Sequence, residues 1–237
     1  MNNKVKIWGL GIGPGDPDLI TVKALKILQE VDVIAYPTLD GGESLVRSIA
    51  KPHLTLNQEE IIISIPMLSD RYPAQGVYDS AAIKISAAVH AGKSVAILCE
   101  GDPFFYGSFM YLFVRLSENH LVRVVPGVTS LAACSSALAL PLAARNDVIS
   151  VIPGPLDEKA LEERLLTTNV AAIIKVGRHL GKIKRILRKI GVIDNAHYIE
   201  RATMDNQHIR LLSEMDGDTA PYFSMIIVRL SGDILEL

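Results

Sequence analysis

Two turns rich in glycine and proline constrain this chain more than any other feature of its sequence. The first is Gly9-Leu10-Gly11-Ile12-Gly13-Pro14-Gly15-Asp16-Pro17, and the second is Cys99-Glu100-Gly101-Asp102-Pro103-Phe104-Phe105-Tyr106-Gly107-Ser108. Each turn follows a short apolar run typical of a buried strand, Val5–Trp8 or Val95–Leu98. Glycine lets the backbone approach a ligand closely, and proline fixes the direction of the chain. The two turns therefore predict a small-molecule site built largely from backbone, at the carboxyl ends of strands.

The order of the predicted elements indicates an α/β fold with two domains. Strand-like and helix-like segments alternate up to about residue 140, which is typical of a mostly parallel sheet with helices on both faces. Within this region we expect Thr21 to cap the first helix, Pro37 to end the second strand and Gly92 to end the helix before the fourth strand. Pro141 and the polar run Arg145-Asn146-Asp147 interrupt this rhythm. The remainder predicts a smaller α+β domain with a mixed sheet, in which 209–212 and 225–230 form a hairpin or meander. We place the domains at 1–141 and 142–237 and expect the ligand in the cleft between them.

Composition excludes several classes of protein. The 237 residues carry a formal net charge of −2, which argues against a generally basic nucleic-acid binder. The longest apolar segment, 131–144, is broken by serines and Pro141 and is shorter than the roughly 20 residues of a membrane span. Two cysteines in apolar contexts, Cys99 and Cys134, predict reduced core thiols in a cytoplasmic protein. The six histidines show no metal-ligand spacing, so no metal site is expected.

Common nucleotide motifs do not fit. The first turn lacks the third glycine of a dinucleotide-binding fingerprint, because Pro14 or Asp16 stands in its place. Gly92-Lys93-Ser94 precedes a strand rather than a helix, so we interpret it as a turn instead of a phosphate loop. The basic run 182–189 alternates with apolar residues and predicts an amphipathic helix whose cations, Lys184 among them, face solvent.

Three motifs together resemble a known family. Residues 11–21, Gly101-Asp102-Pro103 and Pro126-Gly127-Val128-Thr129-Ser130 resemble the three ordered signatures of the S-adenosylmethionine-dependent tetrapyrrole methyltransferases. Residues 36–38, 99–111 and 200–203 are similar to the precorrin-2 C20-methyltransferase branch, which methylates the corrin ring during cobalamin synthesis. That branch includes an anaerobic form that acts on the cobalt-containing ring, and Tyr36-Pro37 with Glu43-Ser44-Leu45 looks slightly more like this form.

The resemblance implies roles for individual residues. S-adenosylmethionine, and its product S-adenosylhomocysteine, would lie between the two domains. The residues implied to bind this cofactor are Pro14, Glu100, Gly101, Asp102, Phe105, Thr129, Ser130, Val176 and Ala202. The substrate would be a reduced tetrapyrrole with several carboxylates, so cations along the cleft are expected. The candidate substrate-binding residues are Asp16, Tyr36, Pro37, Tyr106, Ser108, Arg145, Arg178 and Arg201.

The implied reaction demands alignment more than acid–base chemistry. A sulfonium methyl is already a strong electrophile, so the protein must mainly align the donor with the acceptor carbon. Carbonyls exposed by the rigid turns would polarise that methyl group. The acceptor carbon must then lose a proton, for which Asp16, Glu100, Tyr106 and solvent all remain candidates. Asp102 has a competing structural role, because an aspartate at this position caps its own turn.

Other functions remain open at this level. Uroporphyrinogen methyltransferases are similar, but they carry a proposed aspartate base where this chain has Pro37. Diphthine synthase and a ribosomal RNA methyltransferase belong to the same superfamily, although the RNA enzyme has a different second turn. A tetrapyrrole- or nucleoside-binding protein without activity is the remaining alternative. The family is dimeric, and the aromatic cluster Phe104, Phe109, Tyr111 and Phe113 is compatible with a homodimer.

Overall fold

The chain forms two compact units, residues 1–130 and 131–237. The computed structural model describes residues 6–39, 42–66 and 72–231, with the side chains of residues 72–74 left aside. The strands are β1 (Ile7–Gly11), β2 (Val33–Leu39), β3 (Glu59–Ile65), β4 (Val95–Cys99), β5 (Val122–Val125), β6 (Ile149–Pro153), β7 (Val170–Ile174), β8 (Ala196–Glu200), β9 (His208–Leu211) and β10 (Ser224–Arg229). The helices are α1 (Val22–Glu30), α2 (Leu45–Ala50), α3 (Tyr72–His90), α4 (Phe109–Ser117), α5 (Ser130–Leu138), α6 (Glu158–Leu165) and α7 (Leu180–Lys189).

The first unit is built on a parallel five-stranded sheet in the order β3-β2-β4-β1-β5. Successive strand residues point to opposite faces, so Ala96 and Leu98 join one core while Val95 and Ile97 join another. Helices α1 and α2 cover the first face, and α3 and α4 cover the second. The expected parallel sheet with helices on both faces is confirmed, and its carboxyl edge carries both glycine turns.

Local sequence signals predict the ends of two helices correctly and the end of one strand wrongly. Thr21 caps α1, as predicted, by accepting a hydrogen bond from the Ala24 amide at 3.2 Å. Gly92 ends α3 with a φ of +89°, a conformation that glycine adopts without strain. Pro37, which was expected to end β2, instead lies inside it. The strand continues to Leu39 by pairing with β3 alone, because β4 pairs β2 only at residues 33–35.

The second unit contains a mixed sheet in the order β6-β7-β10-β8-β9. β6 and β7 are parallel, and the other pairs are antiparallel. The expected mixed sheet is confirmed, but the predicted hairpin of the last two strands is wrong. β9 pairs with β8, whereas β10 inserts between β7 and β8. The error arose because chain order suggests neighbours but does not fix the order of strands in a sheet.

Helix α5 belongs to the second unit. Cys134 on this helix lies in a buried cluster with Ala172, Ile199 and Ile227 of the mixed sheet. Helices α6 and α7 cover the opposite face through Leu161, Ile183 and other buried residues. The compact units divide at 130/131, just after the first residue of this helix, whereas the sequence interpretation placed the boundary after the helix, at 141/142.

The basic helix α7 differs from its prediction at one residue. Lys184 is only 5% exposed, and its Nζ donates to the carbonyls of Met215 and Gly217 at 2.5 and 3.0 Å. The expectation of a solvent-facing Lys184 is therefore wrong, because the long side chain caps a neighbouring loop instead. Arg185 and Lys189 are exposed and form ion pairs with Glu158 and Glu162 of α6.

Candidate active site

Three loops meet at the carboxyl edge of the parallel sheet, and backbone atoms make the contacts. The chain after β1 and the chain after β4 form an antiparallel bridge between Gly13 and Gly101. The Gly101 amide donates to the Gly13 carbonyl at 2.8 Å, and the Gly13 amide donates to the Gly101 carbonyl at 3.3 Å. The expected rigid frame is present, but these two carbonyls, which were expected to be exposed, hydrogen-bond to the facing amides.

The third loop, after β5, is packed so tightly that only glycine fits. A Cβ at Gly127 would lie 2.0 Å from the Gly101 carbonyl oxygen and 2.8 Å from Cα of Gly11. A Cβ at Gly11 would lie 2.4 Å from the Gly127 amide nitrogen. Gly11 and Gly127 are therefore required by close approach of backbone to backbone.

Asp102 ties two of these loops together. Its Oδ1 accepts from the Phe104 amide at 2.9 Å, and its Oδ2 accepts from the Gly127 amide at 3.0 Å. The first bond is the turn cap that the sequence suggested, and the second links turns 25 residues apart. This carboxylate therefore has a structural role, holding the Gly101 turn against the Gly127 loop.

The predicted cofactor residues of the first unit gather at this edge. Gly101 has a φ of +61°, and a Cβ there would lie 3.6–3.8 Å from the backbone of residues 128–130. Thr129 and Ser130 thus face the Gly101 turn, at the start of α5. Phe105 is half-buried and packs edge-on against Tyr106, with ring centroids 5.2 Å apart. Pro14 is half-buried in the loop directly after the Gly13 bridge.

Glu100 lies between the Gly101 turn and helix α2. The backbone of Val46, in the first turn of that helix, lies near enough to the Glu100 carboxyl to lower its pKa. Burial raises the pKa of the Glu100 carboxyl above its usual value, against this opposing effect of the backbone. Glu100 also lines a small cavity of about 20 Å³ together with Pro37 and Ser108, which brings three predicted site residues together.

The other two candidate proton acceptors have different surroundings. Asp16 Oδ1 accepts from the Asp18 amide at 2.9 Å and caps a short 3-10 turn over Pro17–Leu19. Tyr106 is 44% exposed and adopts a φ of +57°, which is rare for a residue with a side chain. A strained residue in a ligand-facing turn is a typical feature of functional sites.

Tyr36 forms a side-chain cluster that the sequence did not reveal. Its hydroxyl donates to Glu60, and Glu60 also accepts two bonds from Arg47, at 2.9 Å from Nε and 2.7 Å from Nη2. The Arg47 guanidinium lies 5.9 Å from the centroid of the Tyr36 ring. Arg47 lowers the pKa of Glu60, whereas burial and the neighbouring carboxylate raise the pKa of Tyr36.

The predicted residues of the second unit fall into two groups. Val176 is fully buried among residues that α6 and α7 cover, whereas Ala202 lies in the cluster beneath α5. Val176 has no exposed surface, in side chain or in backbone.

The three predicted arginines are exposed to different degrees. Arg145 and Arg178 are exposed, and Arg145 has a φ of +47°. Arg201 is half-buried with a φ of +50°, and its Nη1 donates to Glu200 at 2.8 Å. Tyr198 donates its hydroxyl to the other oxygen of Glu200 at 2.5 Å, so Arg201 is held by a tyrosine–glutamate pair.

Two negative findings complete the description. Within 6–39, 42–66 and 72–231, no group of three or more His, Cys, Asp or Glu side chains is arranged to hold a metal ion. Across the same described ranges, none of the helices combines the length and apolar character needed to cross a membrane.

Comparison with known proteins agrees with the motifs. Residues 6–216 match the model of the Tetrapyrrole (Corrin/Porphyrin) Methylases. The chain is 42% identical over 235 residues to the Precorrin-2 C(20)-methyltransferase of Sinorhizobium sp, with 94% of each chain covered. It is 32% identical over 234 residues to the Cobalt-precorrin-2 C(20)-methyltransferase of Salmonella typhimurium, covering 98% of this chain and 99% of that protein.

Solved structures share the fold. A cobalt precorrin-4 methyltransferase superposes with a TM-score of 0.73 at 24% identity, with 94% of both chains covered. Uroporphyrin-III C-methyl transferase from Thermus thermophilus, complexed with S-adenosylhomocysteine, gives a TM-score of 0.68 at 20% identity and covers 94% and 92% of the two chains. The three loops of the carboxyl edge and the match over residues 6–216 lead to one conclusion: the chain belongs to the tetrapyrrole (corrin/porphyrin) methylase family.

Proposed function

We propose that this protein transfers a methyl group from S-adenosylmethionine to the C20 meso carbon of precorrin-2, or of its cobalt form, in cobalamin biosynthesis. The observation that carries the proposal is the 42% identity to a Precorrin-2 C(20)-methyltransferase over 94% of both chains. A second relative, named for C20 methylation of the cobalt form of this ring, is 32% identical over nearly the whole chain. The rigid backbone frame of Gly13, Gly101 and Gly127 supports the assignment, because methyl transfer requires the methyl donor and the acceptor carbon to be held in alignment.

The residues of the first unit fit the proposed cofactor. Gly101 presents its backbone beside residues 128–130, at the start of α5. Such a surface suits the polar groups of an adenosyl amino acid, while Phe105 offers an aromatic face. We propose Pro14, Glu100, Gly101, Asp102, Phe105, Thr129 and Ser130 as its contacts. Val176 and Ala202 remain predictions, as does the position of the cofactor between the two domains.

When bound, S-adenosylmethionine supplies an electrophilic methyl group. The contribution of the chain is to position the acceptor carbon and to keep the turns rigid, which accounts for several kcal/mol of barrier lowering through alignment. Asp102 maintains this rigidity by its two bonds to the Phe104 and Gly127 amides. Among the candidate proton acceptors we favour Glu100, because its raised pKa makes the carboxylate a stronger base.

The proposed substrate has several carboxylates, and exposed cations suit it. Arg145 and Arg178 are exposed, and Arg201 is fixed by Glu200. We propose these arginines as contacts for the carboxylates, and Asp16, Tyr36, Pro37, Tyr106 and Ser108 as the wall of the site. Of the two ring forms we propose the metal-free one, because identity is higher to the relative named for precorrin-2 than to the one named for cobalt-precorrin-2. The loop sequence at residues 36–45 had favoured the cobalt form.

The proposal is tested by incubating the protein with S-adenosylmethionine and either metal-free or cobalt-loaded precorrin-2, followed by mass spectrometry of the ring. We expect one added methyl, at C20, and faster turnover of the metal-free ring. Uroporphyrinogen III serves as the competing acceptor. Methylation of uroporphyrinogen III alone, or binding of both ligands without transfer, would overturn the proposed activity.

We also propose a homodimer and a cytoplasmic location. The turn before α4 and the helix itself expose the apolar residues Phe104, Tyr106, Met110, Tyr111 and Val114. Phe104 packs on Phe109 and Phe113 beneath it, so part of the predicted aromatic cluster is core and part is surface. Such a patch suits an interface between copies. Light scattering at micromolar concentration is expected to give the dimer mass, and a monomer mass would contradict it. The location is supported by Cys99 and Cys134, which are both buried free thiols.

A further inference from the structure

A polar groove opens at the carboxyl half of β2, and none of its lining residues belongs to the glycine turns. It has a volume of about 320 Å³ and is formed by β2, β3 and α2. We refer to it as the β2–α2 groove. Its lining residues are Tyr36, Thr38, Gly42, Glu43, Ser44, Arg47, Ser48, Lys51 and Ile62.

The groove adjoins the proposed active site through shared elements. Strand β2 pairs with β4, and the Glu100–Asp102 turn follows β4 directly. The Glu100 carboxyl lies near the backbone of Val46 in α2, and Arg47, Ser48 and Lys51, which follow Val46 in the chain, line the groove. A large ligand at the carboxyl edge of the sheet would therefore extend toward this groove.

Thr38 supplies the most informative observation. The residue is only 6% exposed, and its Oγ1 is buried without a hydrogen-bond partner among the described residues. A buried hydroxyl without a partner costs free energy, so such groups in native proteins usually have a ligand or an ordered water. Thr38 lines the groove, so its unpartnered hydroxyl belongs to the groove wall.

The hydrogen-bond donors of the groove suit an anion, while its charges, Arg47 and Lys51 against Glu43 and Glu60, balance. Glu60 is neutralised by the paired bonds from Arg47 and by the Tyr36 hydroxyl, which also hold the guanidinium in place. Within the described part of the chain, Arg47 Nη1 makes no hydrogen bond and Lys51 makes no ion pair. Glu43 is the opposing charge on the rim. A rigid guanidinium, a nearby ammonium and a buried hydroxyl donor form a set that matches a carboxylate.

We propose that the β2–α2 groove binds one carboxylate arm of the tetrapyrrole, with Thr38 donating its hydroxyl, Lys51 pairing with the charge and Arg47 donating from Nη1. The inference rests on the proposed function, because that function supplies a substrate with carboxylate arms. It assigns substrate contacts to Arg47 and Lys51, which lie outside the motifs, and gives a role to Thr38, which the motif at residues 36–38 contains without assigning it one. The groove would select among macrocycles by the length and position of this arm.

The test measures binding of uroporphyrin III, a stable and fluorescent tetrapyrrole polycarboxylate, to the full chain. We expect Thr38→Val and Lys51→Met each to weaken binding about 5- to 10-fold, because each removes a partner of a charged acceptor. Thr38→Ser keeps the hydroxyl and should bind nearly as the parent does. Lys84→Met on α3, which covers the opposite face of the sheet, is the matched charge control and should change nothing.

Further measurements separate this proposal from folding defects and from the proposed activity. Thr38→Val should melt no lower than the parent, because the lost hydroxyl has no partner among the described residues. Affinity for S-adenosylhomocysteine should be unchanged in every variant. The parent and Lys51→Met should bind the fully methyl-esterified porphyrin, which has no free carboxylate, with equal affinity. Parent-like uroporphyrin binding by both Thr38→Val and Lys51→Met, or no binding by the parent, overturns the groove assignment. If the parent binds uroporphyrin III and S-adenosylhomocysteine but transfers no methyl group, the proposed activity is overturned instead of the groove assignment.

Discussion

The two units make their left-handed turns with different residues. At the carboxyl edge of the first sheet the turns use Gly13 and Gly101, with φ of +85° and +61°, at points where backbones meet. Among the described residues of this unit, Tyr106 alone has a positive φ and a side chain, whereas the second unit has five such residues. In the second unit, Arg145 and Arg201 adopt the same conformation at +47° and +50° and keep their side chains. The left-handed glycines of that unit, residues 177, 191 and 217, have open space where a Cβ would lie.

This difference indicates that the two units contribute different kinds of surface. Glycine removes the side chain so that main chain can approach main chain or a ligand. An arginine in the same conformation carries a cost of roughly 1–2 kcal/mol, which persists only where the surroundings or function maintain it. The first unit therefore offers a backbone surface, and the second offers charged side chains. The predictions below test that contrast.

The largest effect is expected from Gly127→Ala. The new Cβ would lie 2.0 Å from the Gly101 carbonyl oxygen, so the loops must separate. We expect loss of S-adenosylhomocysteine binding and a fall of about 3 kcal/mol in the free energy of unfolding, measured by calorimetric titration and denaturant unfolding. Gly92→Ala is the control: it has a φ of +89° but open space, so binding should not change. Normal cofactor binding by Gly127→Ala would show that the three-loop contact is not needed.

Gly101→Val should abolish S-adenosylhomocysteine binding and leave the fold largely intact. The Cβ position is 3.6 Å or more from its neighbours, so the fold loses only about 1–2 kcal/mol through the left-handed conformation. Gly101→Asn provides a second side chain that tolerates this conformation better, and it should lose binding with a smaller loss of stability. Parent-like affinity in either variant would refute the placement of the cofactor at this turn.

Removing single ionisable groups should have a moderate effect on methyl transfer. Positioned acid–base groups contribute about 10²–10⁴-fold, and alignment is expected to dominate here. Asp16→Asn, Glu100→Gln and Tyr106→Phe should each retain single-turnover rates within about a hundredfold of the parent. Pro14→Gly and Gly101→Ala should be at least as harmful. A loss above about 10⁴-fold in one variant, with substrate binding intact, would identify an essential base.

Arg145→Gly should separate conformational strain from ligand binding. Glycine relieves the left-handed backbone, so we expect unfolding free energy equal to the parent or up to about 1 kcal/mol higher. The KM for the ring should rise about fivefold through loss of a carboxylate contact. Ala139→Gly has the same backbone conformation, with a φ of +52°, and carries no charge, so it should leave KM unchanged. An unchanged KM in Arg145→Gly would remove this arginine from the site.

The smallest effect is expected in how the free energy of unfolding of Glu100→Gln, compared with that of the parent, changes with pH. The pKa of Glu100 is raised in the folded protein above its ordinary value of 4.5, so the folded state holds the proton more tightly. Stability should fall as pH rises from about 4 through the folded pKa, because ionising the buried carboxyl is unfavourable. Glu100→Gln should lack this fall, so its advantage over the parent should grow between about pH 4 and pH 7. The unfolding free energies of parent and variant are measured by denaturant unfolding at several pH values. A constant difference between them from about pH 4 to pH 7 would contradict the raised pKa.

Sequence reasoning succeeded where the signal is local. The Thr21 cap, the Gly92 stop and the Asp102 turn cap each depend on a few adjacent residues. It failed where the outcome depends on distant partners. The place of β10 between β7 and β8 and the loop that buries Lys184 have no adjacent sequence signal.

The candidate site shows the same limit. The motifs identified Gly101, Asp102 and the 126–130 loop, but the contact of Gly127 with Gly11 follows only from the sheet order β4-β1-β5. The pairing of Arg47 with Glu60 joins α2 to β3 across 13 residues, and Thr38 shows its unsatisfied hydroxyl only in three dimensions.

The bridge between Gly13 and Gly101 has a dynamic consequence. Each of the two loops donates to the other, and Asp102 extends the linkage to the Gly127 amide. No one of the three can detach without breaking bonds to its neighbours, so local opening here must be cooperative. The amide protons of Gly13, Gly101 and Gly127, although far apart in sequence, should therefore exchange with solvent deuterium at a common rate. A ligand held by one loop would slow exchange in all three.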